Sequence, residues 1–219
     1  MQRGKLITLE GIDGVGKSTQ AEALESFLRR RGVEVRRTRE PGGVPMGEAI
    51  RRMLLEQEKG LSGLAELLLF FAARAEHVRR VVQPALERGQ WVVCDRFIDA
   101  SYAYQGGGRE IPSERIDVLA EWVAPGLSPD WTILLDLPPE KRHKDIPSTQ
   151  YELLRAGKTP DNFESQGKAF VERVRKTYLE RAGREPARFA VIDAARDREQ
   201  VGAEIIALVV KRWPEIGDE

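Results

Sequence analysis

The chain has 219 residues, 32% of them charged, with 35 basic and 35 acidic side chains that cancel to zero net charge. That length suits one α/β domain spanning residues 1–219, and the charge balance argues against a nucleic-acid partner held by bulk electrostatics. A single cysteine excludes an internal disulfide, one cysteine and two histidines make no metal-cluster spacing, and no apolar run reaches bilayer length, so a cytoplasmic location is the expectation.

Residues 6–9 form a short apolar run with β-branched members and read as a buried strand. The segment Gly11-Ile12-Asp13-Gly14-Val15-Gly16-Lys17-Ser18 follows it directly, and 18–31 then takes helical spacing, with Ala21, Leu24, Phe27 and Leu28 on one face. A strand is expected over 33–38, a helix over 47–55 and a long helix over 65–88. A strand over 91–95 holds Cys94 as a buried thiol, and 101–109 reads as a flexible, Gly-bearing loop. A helix over 113–123, a strand over 132–137, a helix over 166–181, a strand over 189–192 and a helix over 197–213 complete the chain. This alternation implies a three-layer α/β fold, a five-stranded parallel sheet flanked by helices. The stretch 140–157, with Lys141, Arg142, Lys144 and Pro147, is poorly patterned; a flap over a crevice and an ordinary surface connection both fit it.

The Gly11–Ser18 segment matches the spacing G-x-x-x-x-G-K-[ST] and sits between a strand and a helix, as a phosphate-binding P-loop requires. Its glycines let backbone N–H groups turn inward, and the helix adds its positive N-terminal end. Lys17 is expected to reach the β- and γ-phosphates of a nucleotide, and the Ser18 hydroxyl to ligate Mg²⁺. In a parallel sheet, ligands bind at the carboxyl ends of strands. Two more strand ends carry suitable chemistry: Arg39-Glu40-Pro41-Gly42-Gly43, and Asp95-Arg96, where a carboxylate can hold a Mg²⁺ shell or the nucleotide site and a guanidinium can bind phosphate bidentately, although a structural ion pair also fits. Arg51 lies on the helix just beyond. Phe70 and Arg74 are four residues apart, hence on one helix face. They suit stacking on a base and hydrogen bonding to it, although the apolar neighbours of Phe70 equally suit a core position. The segment 101–109, with polar and aromatic side chains beside a Gly run, suits a substrate-contacting loop. There is no serine–histidine–carboxylate set, and a P-loop with several arginines suits phosphoryl transfer.

These motifs, Leu9 to Thr19, Thr38 to Gly43, Phe70-Phe71-Ala72-Ala73-Arg74, Asp95-Arg96-Phe97 and Ala103-Tyr104-Gln105-Gly106, occur in an order and spacing that resemble bacterial thymidylate kinases, P-loop nucleoside monophosphate kinases. The resemblance covers nearly the whole chain. It implies a P-loop NTPase fold and transfer of phosphate from Mg-ATP to dTMP. It implies ATP contacts at Gly11, Asp13, Gly14, Val15, Gly16, Lys17, Ser18 and Thr19, and Mg²⁺ at Ser18 and Asp95. It implies a 5′-phosphate clamp of Arg39, Arg51 and Arg96, with Asp13 approaching the sugar 3′-hydroxyl. It implies Phe70 stacking on thymine, Arg74 on its O4, Ser101 and Gln105 at the base edge, and Tyr104 crowding the 2′ position. A homodimer packed through helices, the 65–88 helix among them, is implied as well. Asp161-Asn162-Phe163-Glu164 departs from the pattern, with Asn where Arg is usual, and the lid of about 140–162 is atypical. Because residue 14 is Gly, a lid cation is expected to stabilise the transferring phosphoryl, with Arg155, Arg142 and Lys158 as candidates. Two alternatives follow. A kinase for another monophosphate would keep the mechanism, but Arg74 as a donor favours a base carbonyl. A nucleotide-binding protein impaired in transfer would rest on the atypical lid.

Overall fold

The central strand β1 (Leu6–Glu10) is buried along its whole length. In the computed structural model, which describes residues 3–56, 61–141 and 160–217, it lies mid-sheet in the order β2-β3-β1-β4-β5. Here β2 is Val35–Arg39, β3 Trp91–Asp95, β4 Trp131–Asp136 and β5 Phe189–Asp193. Every pairing is parallel. Register aligns the strand ends that matter: Leu9 and Arg39 both sit opposite Asp95, so β1, β2 and β3 finish level on one rim.

Helices α1 (Lys17–Arg30), α2 (Pro45–Glu56), α3 (Gly63–His77), α4 (Gln83–Glu87), α5 (Ile98–Ser101), α6 (Ser113–Val123), α7 (Pro160–Arg184) and α8 (Arg198–Arg212) cover the sheet. Alternation along β1 separates two cores. Ile7 and Leu9 join Leu24, Leu28, Ile133, Leu135, Val174 and Ile205, whereas Leu6 joins Val78, Val82, Leu86, Val92 and Phe97. Each such fully buried aliphatic contributes about 1.5–3 kcal/mol. Cys94 is buried as expected; its thiol donates to the Arg96 carbonyl, and burial pushes its pKa well up.

The structure differs from the sequence expectations at several points. The β2 strand begins at Val35 rather than residue 33, because Gly32 takes φ 74° and the N–H of Val33 returns to the Leu28 carbonyl, closing α1. The long helix expected over 65–88 is present as a continuous helical run over 63–87, but over Val78–Val82 its ladder slips to π-type spacing, with Gln83 N–H bonding Val78 O next to Pro84, which has no N–H to give. Residues 101–109 are no flexible loop but continue α5 as a π-helical segment, Tyr102–Gly108. Its glycines serve close packing on α7. A Cβ on Gly107 would lie 2.0 Å from Thr177 Oγ1, and one on Gly108 would lie 2.5 Å from the Phe170 ring. The α7 helix starts at Pro160, earlier than the expected residue 166, so its first turn overlaps the end of the segment expected as lid.

Candidate active site

The P-loop takes its shape from glycine. Gly11, Gly14 and Gly16 have φ of 137°, 82° and 89°, and a Cβ on Gly11 would lie 2.4 Å from the Leu135 carbonyl of β4. Gly16 is the N-cap of α1 and no side chain caps it, which leaves the positive helix N-terminus suited to an anion. Val15 is buried against the core, Asp13 and Gly14 are half-buried, and Gly16 and Ser18 are exposed. Lys17 folds back to donate to Ile12 O at 2.8 Å. Burial, with the neighbouring Arg96 guanidinium, lowers its pKa to about 8, against the pull of Asp95, Asp13 and Glu10.

Arg96 follows β3 with φ 69°, a strained conformation for a side chain this large. That turn throws its guanidinium back over the P-loop. It donates to Asp13 Oδ1 (2.6 Å), the Tyr104 hydroxyl (2.9 Å), Gly11 O (3.2 Å) and the Tyr178 hydroxyl (3.3 Å), and lies 4.7 Å over the Tyr104 ring. Burial would raise the Asp13 pKa, but Arg96 and Lys17 hold it below its ordinary value. Beneath them Glu10 accepts from Phe97 N–H and the Tyr178 hydroxyl, each at 2.7 Å. Burial, reinforced by Asp99, raises Glu10 to about 7.

Ser18 Oγ donates to Asp95 Oδ2 at 2.5 Å, so the two residues expected at a Mg²⁺ ion touch. The rim there is a crevice of about 330 Å³ lined by Ser18, Arg39, Gly43, Glu48 and Asp95. Arg39 is held by the Glu48 carboxylate (2.9 and 3.0 Å), which also accepts Gly43 N–H (3.0 Å). Arg51 donates to Pro41 O and lies within electrostatic reach of Arg39, Asp95 and Arg96. A larger cavity, about 670 Å³, lies at the other end of β2. Its Arg29 and Arg88 flank the C-terminal ends of α1 and α4, where basic side chains answer the helix dipoles, and we assign it no ligand.

The residues expected at the base converge less openly than the sequence suggests. Phe70 packs with Ile50, Leu54 and Ala73 between α2 and α3, and only 5% of it is exposed. Arg74 is 1% exposed and donates to Glu40 Oε2 (2.7 Å), Ser101 Oγ (3.0 Å) and Phe97 O (3.0 Å). Gln105 donates to Glu66 (2.7 Å). Ser101 and Gln105 therefore brace other groups, and neither side chain lies open to the crevice. Sequence reasoning missed Glu10, Glu40, Glu48, His77 and Tyr178. Only His77 had a usable signal: it follows Arg74 by three, so it shares its face. Arg142, Arg155 and Lys158 lie outside the described residues; Asn162 falls in the first turn of α7.

A thymidylate kinase family profile matches residues 9–205. The chain is 46% identical over 213 residues to a thymidylate kinase of Nitrosomonas eutropha, covering 97% of this chain and 95% of that one. It is 50% identical over 214 residues to a thymidylate kinase of Chromohalobacter salexigens, covering 97% and 98%. Among solved structures, thymidylate kinase from Ehrlichia chaffeensis matches with a TM-score of 0.74 at 34% identity, over 94% of this chain and 99% of that one. With a P-loop on β1, an Asp-Arg pair ending β3 and an Arg-Glu-Pro-Gly-Gly turn ending β2, the chain belongs to the thymidylate kinase family.

Proposed function

We propose that the chain is a dTMP kinase, which transfers the γ-phosphoryl of ATP to dTMP to give ADP and dTDP. The observation that carries this is the level rim: Lys17 and Ser18 after β1 face Arg39, Arg51 and Arg96 around the ends of β2 and β3. The P-loop amides and Lys17 take the ATP phosphates, and the arginines take the 5′-phosphate of dTMP. An oxygen of that phosphate attacks the γ-phosphorus while the bond to the β–γ bridging oxygen breaks. Being anionic near neutral pH, the acceptor needs no strong base, so positioning and charge neutralisation carry the catalysis. Asp13 and Tyr104, tied through Arg96, face the deoxyribose. Phe70 and Arg74 read the base. The kinases matched at 46–50% identity over nearly the whole chain give no support to a form impaired in transfer.

Mg²⁺ fits the site. Ser18 and Asp95 present adjoining hard oxygen ligands, and among the described residues no cluster of three His, Cys, Asp or Glu competes for a metal. With so few protein ligands, phosphates and water complete the shell. The ion, when bound, neutralises charge on the phosphate oxygens.

A test of the base pocket is the ratio of kcat/KM for dTMP over dUMP. Burying one methyl gives about 1 kcal/mol, so a preference of roughly fivefold is expected. Equal values would remove the base-reading assignment.

We also propose a homodimer through the α3–α6 face. Leu64 and Leu68 on α3, with Val118 and Trp122 on α6, are large apolar side chains left about half exposed or more, Trp122 by 78%. Both pairs follow i, i+4 spacing, and the two helices pack through Leu67, Phe71 and Ile116. Light scattering should give twice the 24.7 kDa chain mass, falling to the single mass in a Leu68→Asp/Trp122→Asp variant. A parent protein at the single mass contradicts the proposal. No helix among the described residues is long and apolar enough to cross a membrane.

A further inference from the structure

A chain of hydrogen bonds that nothing in the transfer chemistry uses runs through the buried ground between the phosphate end and the base end of the acceptor site. The Glu40 carboxylate is shared. Its Oε2 accepts Arg74 Nε (2.7 Å) and its Oε1 accepts His77 Nδ1–H (2.9 Å). The other ring nitrogen, Nε2, lies 2.7 Å from Thr38 Oγ1 at the end of β2. Both ring nitrogens are therefore engaged, one by the carboxylate and one by the threonine hydroxyl, and Arg74 and Glu40 form an ion pair beside the ring. All of this is dry: His77 is fully buried and Glu40 and Arg74 nearly so. Burial alone would raise the Glu40 pKa, yet Arg74 and His77 hold it below its ordinary value, so the shared carboxylate stays charged.

The same ring supports the phosphate end. Gly43 has φ 77°, and a Cβ there would lie 2.6 Å from Thr38 Oγ1 and 2.8 Å from His77 Cδ2. The turn therefore rests directly on the imidazole. From Gly43 the path continues through its N–H to Glu48 and from Glu48 to Arg39. At the other end, Arg74 has spent three of its five N–H donors on Glu40, Ser101 and Phe97 O, with its guanidinium 4.6 Å over the Phe71 ring. That leaves a fixed orientation for the two that remain.

We propose that Glu40 and His77 are positioning residues for the nucleoside monophosphate: they set the span between the Arg39–Gly43 turn, which holds its phosphate, and Arg74, which reads its base. This rests on the reading of Arg74 as the base contact. Neither residue touches the reacting atoms. Loosening the bridge should weaken the binding of the acceptor and spare that of the donor, since Ile12, Lys17 and the P-loop amides are not part of it.

The test is steady-state kinetics on the full chain, with both substrates varied, for His77→Leu, His77→Asn, Thr38→Val and Arg74→Ala, with melting temperatures alongside. His77→Leu should raise KM for dTMP by about tenfold or more while KM for ATP and kcat stay within about threefold, in keeping with the penalty for misplacing a substrate-orienting group. His77→Asn keeps a donor towards Glu40 and should recover most of the loss. Thr38→Val removes only the outer hydroxyl and should give a smaller rise of the same kind; it carries the test if His77→Leu does not fold. A rise in KM for dTMP with Arg74→Ala, but none with folded His77→Leu or with Thr38→Val, would overturn the bridge. Unchanged KM for dTMP with Arg74→Ala itself would overturn the base reading and the bridge with it. A fall in kcat and in melting temperature with both KM values unmoved would reduce Glu40 and His77 to ordinary core.

Discussion

Replacing Lys17 by alanine is expected to lower turnover by at least about 10²–10³-fold while the protein still folds. The scale follows from removing a preorganised cation from a transition state whose charge is spread over phosphoryl oxygens. Folding should survive because Lys17 contributes little to the native state without nucleotide. Its one observed hydrogen bond goes to Ile12 O, and burial beside Arg96 disfavours its charged form. A coupled assay for ADP, read with circular dichroism, checks both halves. Near-normal turnover in a folded variant would remove Lys17 from the transfer step. The parent enzyme should report the same residue through pH. With its pKa lowered from 10.5 to about 8, Lys17 loses its proton in the free protein as pH rises through 8. A bound triphosphate favours the charged form, so ATP binding near pH 8 should take up protons. The value of kcat/KM for ATP should accordingly fall above pH about 8. A flat profile to pH 9.5 would show that Lys17 stays charged without nucleotide.

Arg96→Met is the second large effect, and it is expected on stability as well as activity. The guanidinium holds Asp13, Tyr104, Gly11 O and Tyr178 at once, in an almost dry setting. Removing it leaves the Asp13 carboxylate nearly buried without its closest partner, a lesion that costs about 3–5 kcal/mol. For a chain of this length that corresponds to a melting temperature lower by roughly 6–15 °C. Asp13→Asn in the same protein should restore much of the melting temperature, because the unpaired charge is then gone. It should restore none of the activity, because the proposed phosphate clamp is still missing. Additive losses in the double variant would show that Arg96 and Asp13 do not act as a pair. The sign of the pH dependence agrees: Asp13 has a lowered pKa, so the stabilisation from this pair is complete above the ordinary carboxylate range and is lost only as pH falls through the lowered value. Kinetically, kcat/KM for dTMP should drop by about 10²-fold or more, since a clamp on the attacking phosphate is lost.

The parts of the site that could be read in the sequence are those made by neighbours along the chain. A P-loop needs glycines at fixed spacing between a strand and a helix, so Gly11 to Ser18 announced itself, and five apolar runs alternating with helices were enough for a parallel sheet. Pairings between distant segments were not legible. Glu40 and Arg74 are 34 residues apart, and Arg96 and Tyr178 are 82 apart, so no local period links them. The glycines at 106–108 were misread for the same reason. A Gly run looks flexible until Thr177 and Phe170 of α7 are seen packed against it. Arg74 stood out in the sequence beside Phe70, but not as a buried hub, since an arginine gives no sign of burial before its carboxylate is located. Pro84 was visible, but that it resolves as a π-type slip rather than a clean helix end depends on how Val78 and Val82 pack under β3.

The most direct measurement is ADP release in a coupled assay with Mg-ATP and, in turn, dTMP, dUMP, dCMP, UMP and AMP. Turnover should be strongest with dTMP, weaker with dUMP and minor with the other three, with dTDP as the product. No ADP beyond that formed with ATP alone, or a higher kcat/KM for any of the other monophosphates, would contradict the proposed function.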